Sequence, residues 1–130
     1  MNFKFSKNSL DRLNHEKLHP DLKRLMIEAI KTSPIDFSVL ETVRTVAQQK
    51  SNVAKGVSRT MKSRHIPSTN ASGLCEAIDI APYPINWHDI KRFILLANHI
   101  KETAKSLNIG IVHGGDWKSF KDYPHYELKS

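Results

Sequence analysis

The chain has 130 residues, with 20 Lys+Arg against 13 Asp+Glu, 7 His and a formal charge of +7. That length predicts one domain over residues 1–130, and a composition of 39% apolar and 25% charged residues excludes a disordered chain. No apolar run reaches the roughly 20 residues that span a bilayer, so no stable membrane association is expected. The N-terminal MNFKFSKNSLDRL lacks an apolar h-region, which predicts cytoplasmic synthesis without a signal peptide. The single Cys75 excludes an internal disulfide and a Cys-rich zinc site, and leaves His and carboxylates as the available metal ligands.

In chain order, the first predicted element is a helix over 20–32. Pro20 suits its first turn, Leu22, Leu25, Met26, Ala29 and Ile30 form its apolar stripe, and Ser33-Pro34 stops it. Phe37 to Val43, rich in β-branched and aromatic residues, predicts a strand. A weaker helix is expected over 45–55, ended by Gly56, and then a long polar loop from Val57 to Gly73. Cys75 to Ala81 predicts a strand closed by Pro82-Tyr83-Pro84. Asn86 or His88 opens a helix over about 88–107, with Ile90, Phe93, Ile94, Ala97, Ile100, Ala104 and Leu107 as its stripe. Short strands follow over Ile109–His113 and Tyr123–Leu128, joined through a turn at Gly114-Gly115. The class is α+β: a small antiparallel sheet with helices packed against it.

Three polar residues stand out. Asp79 interrupts the apolar run Ala77-Ile78-Asp79-Ile80-Ala81, where a buried carboxylate needs a partner and an edge strand would instead expose it. Alternation puts His125 and Glu127 on one strand face and Tyr126 and Leu128 on the other. Pro124 cannot donate to a ladder, so that strand starts at a bend or lies on an edge. Asp122 precedes it in a loop, free to point toward His125, and His65 lies in the long polar loop. Together His65, Asp79 and His125 offer two imidazoles and a carboxylate, a set that suits a catalytic zinc with an open fourth position.

The segments Ser63-x-His65, Ala77-Ile78-Asp79 and the run from Gly114 through Pro124-His125-Tyr126-Glu127-Leu128 resemble the LAS family of zinc peptidases, in particular its small phage endolysin branch. Phe3-Lys4-Phe5-Ser6-x-Asn8-Ser9 and Val43-Arg44-Thr45-Val46-Ala47-Gln48 resemble the same branch, so the likeness spans nearly the whole chain. The resemblance implies one Zn2+ per chain, in a surface cleft, with His65, Asp79 and His125 as ligands. It implies Asp122 as the catalytic carboxylate and Arg44 as the holder of substrate or transition-state charge. Ser63 would bond a ligand carboxylate, Gln48 would support the ligands or bind substrate, Glu127 would bond a ligand or bind substrate, and Asp116 would orient a ligand histidine or cap the turn. One departure is the thirteen residues between His65 and Asp79. The family usually has about six, so we read a loop insertion of about seven, which closure entropy tolerates.

The implied reaction is amide hydrolysis in the peptide stem of peptidoglycan, most simply at the L-alanyl-D-glutamate bond, with D-Ala-D-Ala carboxypeptidase as the alternative. The enzyme would be a monomer that reaches the wall after another protein permeabilises the membrane. A different class, a non-catalytic basic domain for cell wall or nucleic acid, would use Trp87, Trp117 and Tyr126 as stacking surfaces. No nucleic-acid signature supports it, so no nucleic-acid partner is expected.

Overall fold

A computed structural model describes residues 3–56 and 63–129. Its elements are helices α1 (Lys7–Leu13), α2 (Pro20–Thr32), α3 (Val46–Ala54) and α4 (Ile90–Ser106) and strands β1 (Phe37–Glu41), β2 (Ala77–Pro82), β3 (Ile111–His113) and β4 (His125–Leu128). Two single 3-10 turns, Pro67–Thr69 and Gly114–Asp116, complete the described elements. The strands form one antiparallel sheet in the order β1-β2-β4-β3. This is the expected α+β class.

The α2 stripe is the one its spacing predicts: Leu22, Leu25, Met26, Ala29 and Ile30 are all buried. They meet Ile78 and Ile80 of β2, Tyr126 and Leu128 of β4, and the buried face of α4. The α4 face is rotated from the expected one. Phe93, Leu96, Ala97, Ile100 and Ala104 are buried, whereas Ile94 is 45% exposed. Positions 93, 96, 97, 100 and 104 keep strict i, i+3, i+4 spacing, and Ile94 falls beside that stripe. The helix also starts later than expected, because Asp89, not Asn86 or His88, accepts from Arg92 N and caps it.

Helix α1 has no counterpart in the sequence reading, since seven residues hold too few apolar positions to show a period. It forms because Ser6 caps it and because Ser9 Oγ, itself buried, accepts from Val39 N at 2.9 Å and ties it to β1. Strand β1 ends at Glu41 rather than Val43, after a register shift between Val39 and Glu41. The next peptides turn away: Arg44 N donates to His65 O and Thr42 O takes the His65 side chain. Strand β2 begins at Ala77, because Cys75 pairs instead with Leu18 in an isolated parallel bridge. Strand β3 begins at Ile111 and β4 at His125, each two residues later than expected. Strand β4 is internal, not an edge. Pro124 sits at the bend before it and offers only its carbonyl, to Ile80 N.

Residues 57–62 of the expected polar loop lie outside the described residues. Its remainder is tightly bonded. Asn70 Nδ2 donates to the carbonyls of Arg64 and Leu74, and Thr69 Oγ1 to those of Ser63 and Ile66. The segment after His65 therefore folds back onto the residues flanking that histidine and leaves it facing β2.

Gly114 and Gly115 close the loop that carries Asp122. Gly114 O accepts from both Trp117 N and Asp122 N. A Cβ on Gly114 would overlap the Asp122 carbonyl, and one on Gly115 would overlap the His113 ring and lie 2.8 Å from Tyr123 Cδ1. Gly115→Ala is therefore expected to destabilise the protein by at least about 1–3 kcal/mol. Urea unfolding checks this, and an unchanged midpoint would show that the loop has room to yield.

Candidate metal centre

The register of β2 and β4 sets Asp79 directly opposite His125. Alternation turns both away from the core that Ile78, Ile80 and Tyr126 fill. The third residue comes from the loop: His65 Nε2 lies 3.3 Å from Asp79 Oδ1, and His125 Nδ1 lies 3.2 Å from the same oxygen. The donor atoms of His65, Asp79 and His125 all lie within 4.8 Å of one another. Both imidazoles are nearly closed to solvent, while Asp79 keeps 22% of its side chain exposed, so the group opens on the carboxylate side.

These residues fit a zinc ion. Ligand bonds of about 2.0–2.1 Å in a tetrahedral set bring neighbouring donors to about 3.3 Å, close to the 3.3 and 3.2 Å that separate Asp79 Oδ1 from the His65 and His125 nitrogens. The outer nitrogens have separate partners. His65 Nδ1 donates to Thr42 O at 2.6 Å, and His125 Nε2 donates to Glu127 Oε1 at 2.8 Å. Each bond turns the inner nitrogen toward Asp79 Oδ1, where a metal would take its lone pair in place of a shared proton, the arrangement that a metal-ligating histidine requires. Two imidazoles and one carboxylate leave a fourth position for water or substrate.

Electrostatics favours an ionised carboxylate at the centre. Burial would raise the Asp79 pKa, but hydrogen bonds from His125 and His65 outweigh it and hold the group well below the usual carboxylate range. Burial would lower the His125 pKa, and the contacts with Asp79 and Glu127 reverse this, to about 9. Asp122 behaves in the opposite way: burial and the neighbouring Asp79 charge raise its pKa. A carboxyl held above its ordinary range is suited both to take up and to return a proton.

Arg44 stands beside this group with its side chain 13% exposed. Its guanidinium bonds Glu41 and donates to Gln49 Oε1 at 2.6 Å and to Ser63 Oγ at 3.4 Å. Glu41 Oε1 also lies 4.0 Å from His65 Nε2, so Glu41 links the arginine to the imidazole.

The structure gives several of the expected residues contacts other than those anticipated. Ser63 Oγ bonds no ligand carboxylate. It accepts from His65 N at 3.2 Å and from Arg44, so it braces the loop. Gln48 is an exposed helix cap, bonded reciprocally with Thr45, and the buried neighbour Gln49 is the residue that meets Arg44. The helix phase explains the exchange, because adjacent residues lie about 100° apart. Asp116 neither orients a ligand histidine nor caps the turn. It is 59% exposed and bonds Lys101 Nζ at 2.6 Å, tying the turn to α4. Tyr126 is 1% exposed and stacks on His113, so it offers no surface for a base. Trp117 lies 5.3 Å from the His125 ring and walls the site. Cys75 stays out of the group. Its buried thiol donates to Thr42 O and Ala77 O, and burial raises its pKa to about 11. Glu127 is placed where its strand face predicts, against His125.

Sequence reasoning missed Glu41, Gln49 and Arg64. Glu41 carries the one readable signal, a charged residue at the end of an apolar strand three positions before Arg44.

Comparisons with known proteins place the chain in a family. The family model for the phage L-alanyl-D-glutamate peptidase matches residues 1–129. The L-alanyl-D-glutamate peptidase of Escherichia phage T5 is 37% identical over 99% of this chain and 91% of its own length. That of Listeria phage A118 is 29% identical over 81% of this chain, which spans only 34% of that longer relative. The crystal structure of the Serratia marcescens L-Ala D-Glu endopeptidase ChiX superposes with a TM-score of 0.83 at 31% identity, covering 98% of this chain and 91% of that one. Sequence match, whole-chain fold and the His-Asp-His group thus coincide, and the chain belongs to the phage L-alanyl-D-glutamate peptidase family.

Proposed function

We propose that the protein is a zinc peptidase that hydrolyses the L-alanyl-D-glutamate bond in the stem peptide of peptidoglycan. In this reading residues 1–130 act as one catalytic domain, as a monomer with one zinc per chain. The observation that carries it is the convergence of His65 Nε2, Asp79 Oδ1 and His125 Nδ1 beside the Asp122 carboxylate. The printed activities of the phage and Serratia relatives support the bond assignment.

A zinc ion held by the three donors supplies Lewis acidity toward water and the scissile carbonyl. Asp122 takes the proton of the attacking water on its carboxylate and returns it to the departing amine nitrogen. The Arg44 guanidinium supplies fixed positive charge toward the developing oxyanion, with Gln49 and Glu41 holding its plane. Thr42 O and Glu127 keep the ligand imidazoles in one tautomer. Mass analysis of digested peptidoglycan tests the bond: new L-alanine carboxyl and D-glutamate amino ends are expected. Release of terminal D-alanine alone would indicate a carboxypeptidase instead.

His65→Ala, Asp79→Ala and His125→Ala are each expected to lose bound zinc together with activity, since two donors make an incomplete site. Metal analysis of protein purified without chelator or metal-binding tag checks this. A variant with full metal content is not missing a ligand.

Asp122→Asn should keep zinc and the fold while hydrolysis falls by about 10²–10⁴-fold, the usual worth of general acid–base help. Asn also suits turns, so a merely structural Asp122 would leave turnover nearly intact. Metal content and turnover measured on one sample separate the two.

Arg44→Lys should lower kcat with zinc retained. A lysine keeps the charge but cannot bond Glu41 and Gln49 through a planar fork while facing substrate. Unchanged steady-state kinetics would confine Arg44 to bracing the loop.

A further inference from the structure

We propose that Arg64 is a positioning residue for the metal centre, acting through Glu127 to hold the His125 ring in its ligating orientation. The inference rests on the zinc reading above. The contacts run in series. His125 Nε2 donates to Glu127 Oε1 at 2.8 Å, which points Nδ1 at Asp79. The other Glu127 oxygen, Oε2, lies 3.5 Å from Arg64 Nη1. Arg64 Nη2 in turn bonds the Glu76 carboxylate and donates to Leu128 O at 3.0 Å.

Arg64 is therefore anchored independently of the histidine it serves. Its main chain is clamped to the strands, because Glu76 N donates to Arg64 O at 3.0 Å and Leu128 N to Glu76 O at 2.9 Å. Its guanidinium spans from Glu76, next to β2, to the end of β4. A carboxylate that bonds an imidazole by one oxygen can still swing about its own side-chain torsions. Tethering the second oxygen to a fixed cation removes that freedom.

The arginine works from behind the site. It lines a cavity of about 510 Å³ together with His19, Glu76 and Lys129, and none of His65, Asp79, Asp122 or His125 borders that cavity. Arg64 also immediately precedes His65 in the chain, so the segment that delivers one histidine ligand braces the other.

A double-mutant cycle on zinc affinity tests the proposal. Zinc dissociation constants are measured by competition with a chromophoric chelator for the wild type, Arg64→Gln, Glu127→Gln and the double variant. Melting temperatures of the zinc-free proteins are recorded alongside. Each single change is expected to weaken zinc binding by about 10–100-fold, and the double variant should bind no more weakly than Glu127→Gln alone. Arg64→Lys, which keeps the charge without the fork, should fall between wild type and Arg64→Gln, and it serves as the cycle partner if Arg64→Gln does not fold. Independent, multiplying losses would overturn the proposal, because Arg64 would then act through the backbone of His65. Unchanged affinity in Arg64→Gln or Arg64→Lys, with only the melting temperature lowered, would overturn it equally. A wild type that binds no zinc would instead overturn the functional reading from which the proposal starts.

Discussion

The contact on which the structure turns is one carboxylate oxygen, Asp79 Oδ1, facing two imidazole nitrogens at 3.2 and 3.3 Å. A buried unpaired carboxylate costs several kcal/mol, and so does each buried imidazole without a partner. The fold supplies all three at once. Antiparallel pairing sets Asp79 and His125 opposite each other on the two internal strands, and the bonds from Thr42 and Arg44 draw His65 in from the side. A slip of one residue between β2 and β4 would turn Asp79 into the hydrophobic core and expose Ile78 and Ile80. The buried apolar face thus protects the register, and the register holds the site.

The two imidazoles are fixed by different means. His65 gives its outer N–H to a backbone carbonyl, which is neutral and nearly immobile. His125 gives its outer N–H to Glu127, which is charged and itself movable. Charge is balanced locally to match. Arg44 pairs with Glu41 on one side of His65, and Arg64 meets Glu76 and Glu127 on the other. The excess of basic residues is therefore carried elsewhere, since Arg44 and Arg64 each have carboxylate partners that fix their guanidinium planes.

The proton-transfer candidate depends on a separate constraint. Asp122 is not on a strand, and it is delivered by a loop whose two ends close on Gly114 O. That closure leaves no volume for side chains at 114 and 115. The paired glycines thus set where the Asp122 loop closes, although neither carries a side chain. The same loop brings Trp117 against the His125 ring, so one short segment supplies both a wall and the carboxylate.

Strands and the two long helices were legible in the sequence because each follows a local rule, whereas the grouping of His65, Asp79 and His125 rested on resemblance to a family. The stripe on residues 20–32 has helical period, and a carboxylate inside Ala77–Ala81 is conspicuous by burial cost. Asp122, His125 and Glu127 were read from a short motif whose spacing survives in the fold. The short helix α1 was not legible, since seven residues stabilised by Ser9 bonding a distant strand show no period of their own. Nor were the supporting roles. Whether Gln48 or Gln49 meets Arg44 depends on helix phase against a loop, and whether Asp116 reaches a histidine or Lys101 depends on where α4 packs. The sequence by itself determined which residue types were available and which strand face each took. Only the tertiary structure decided which of them meet, because residues as far apart as Arg64 and Glu127 become neighbours where the loop bonds Glu76 beside the β2–β4 pair, not through spacing.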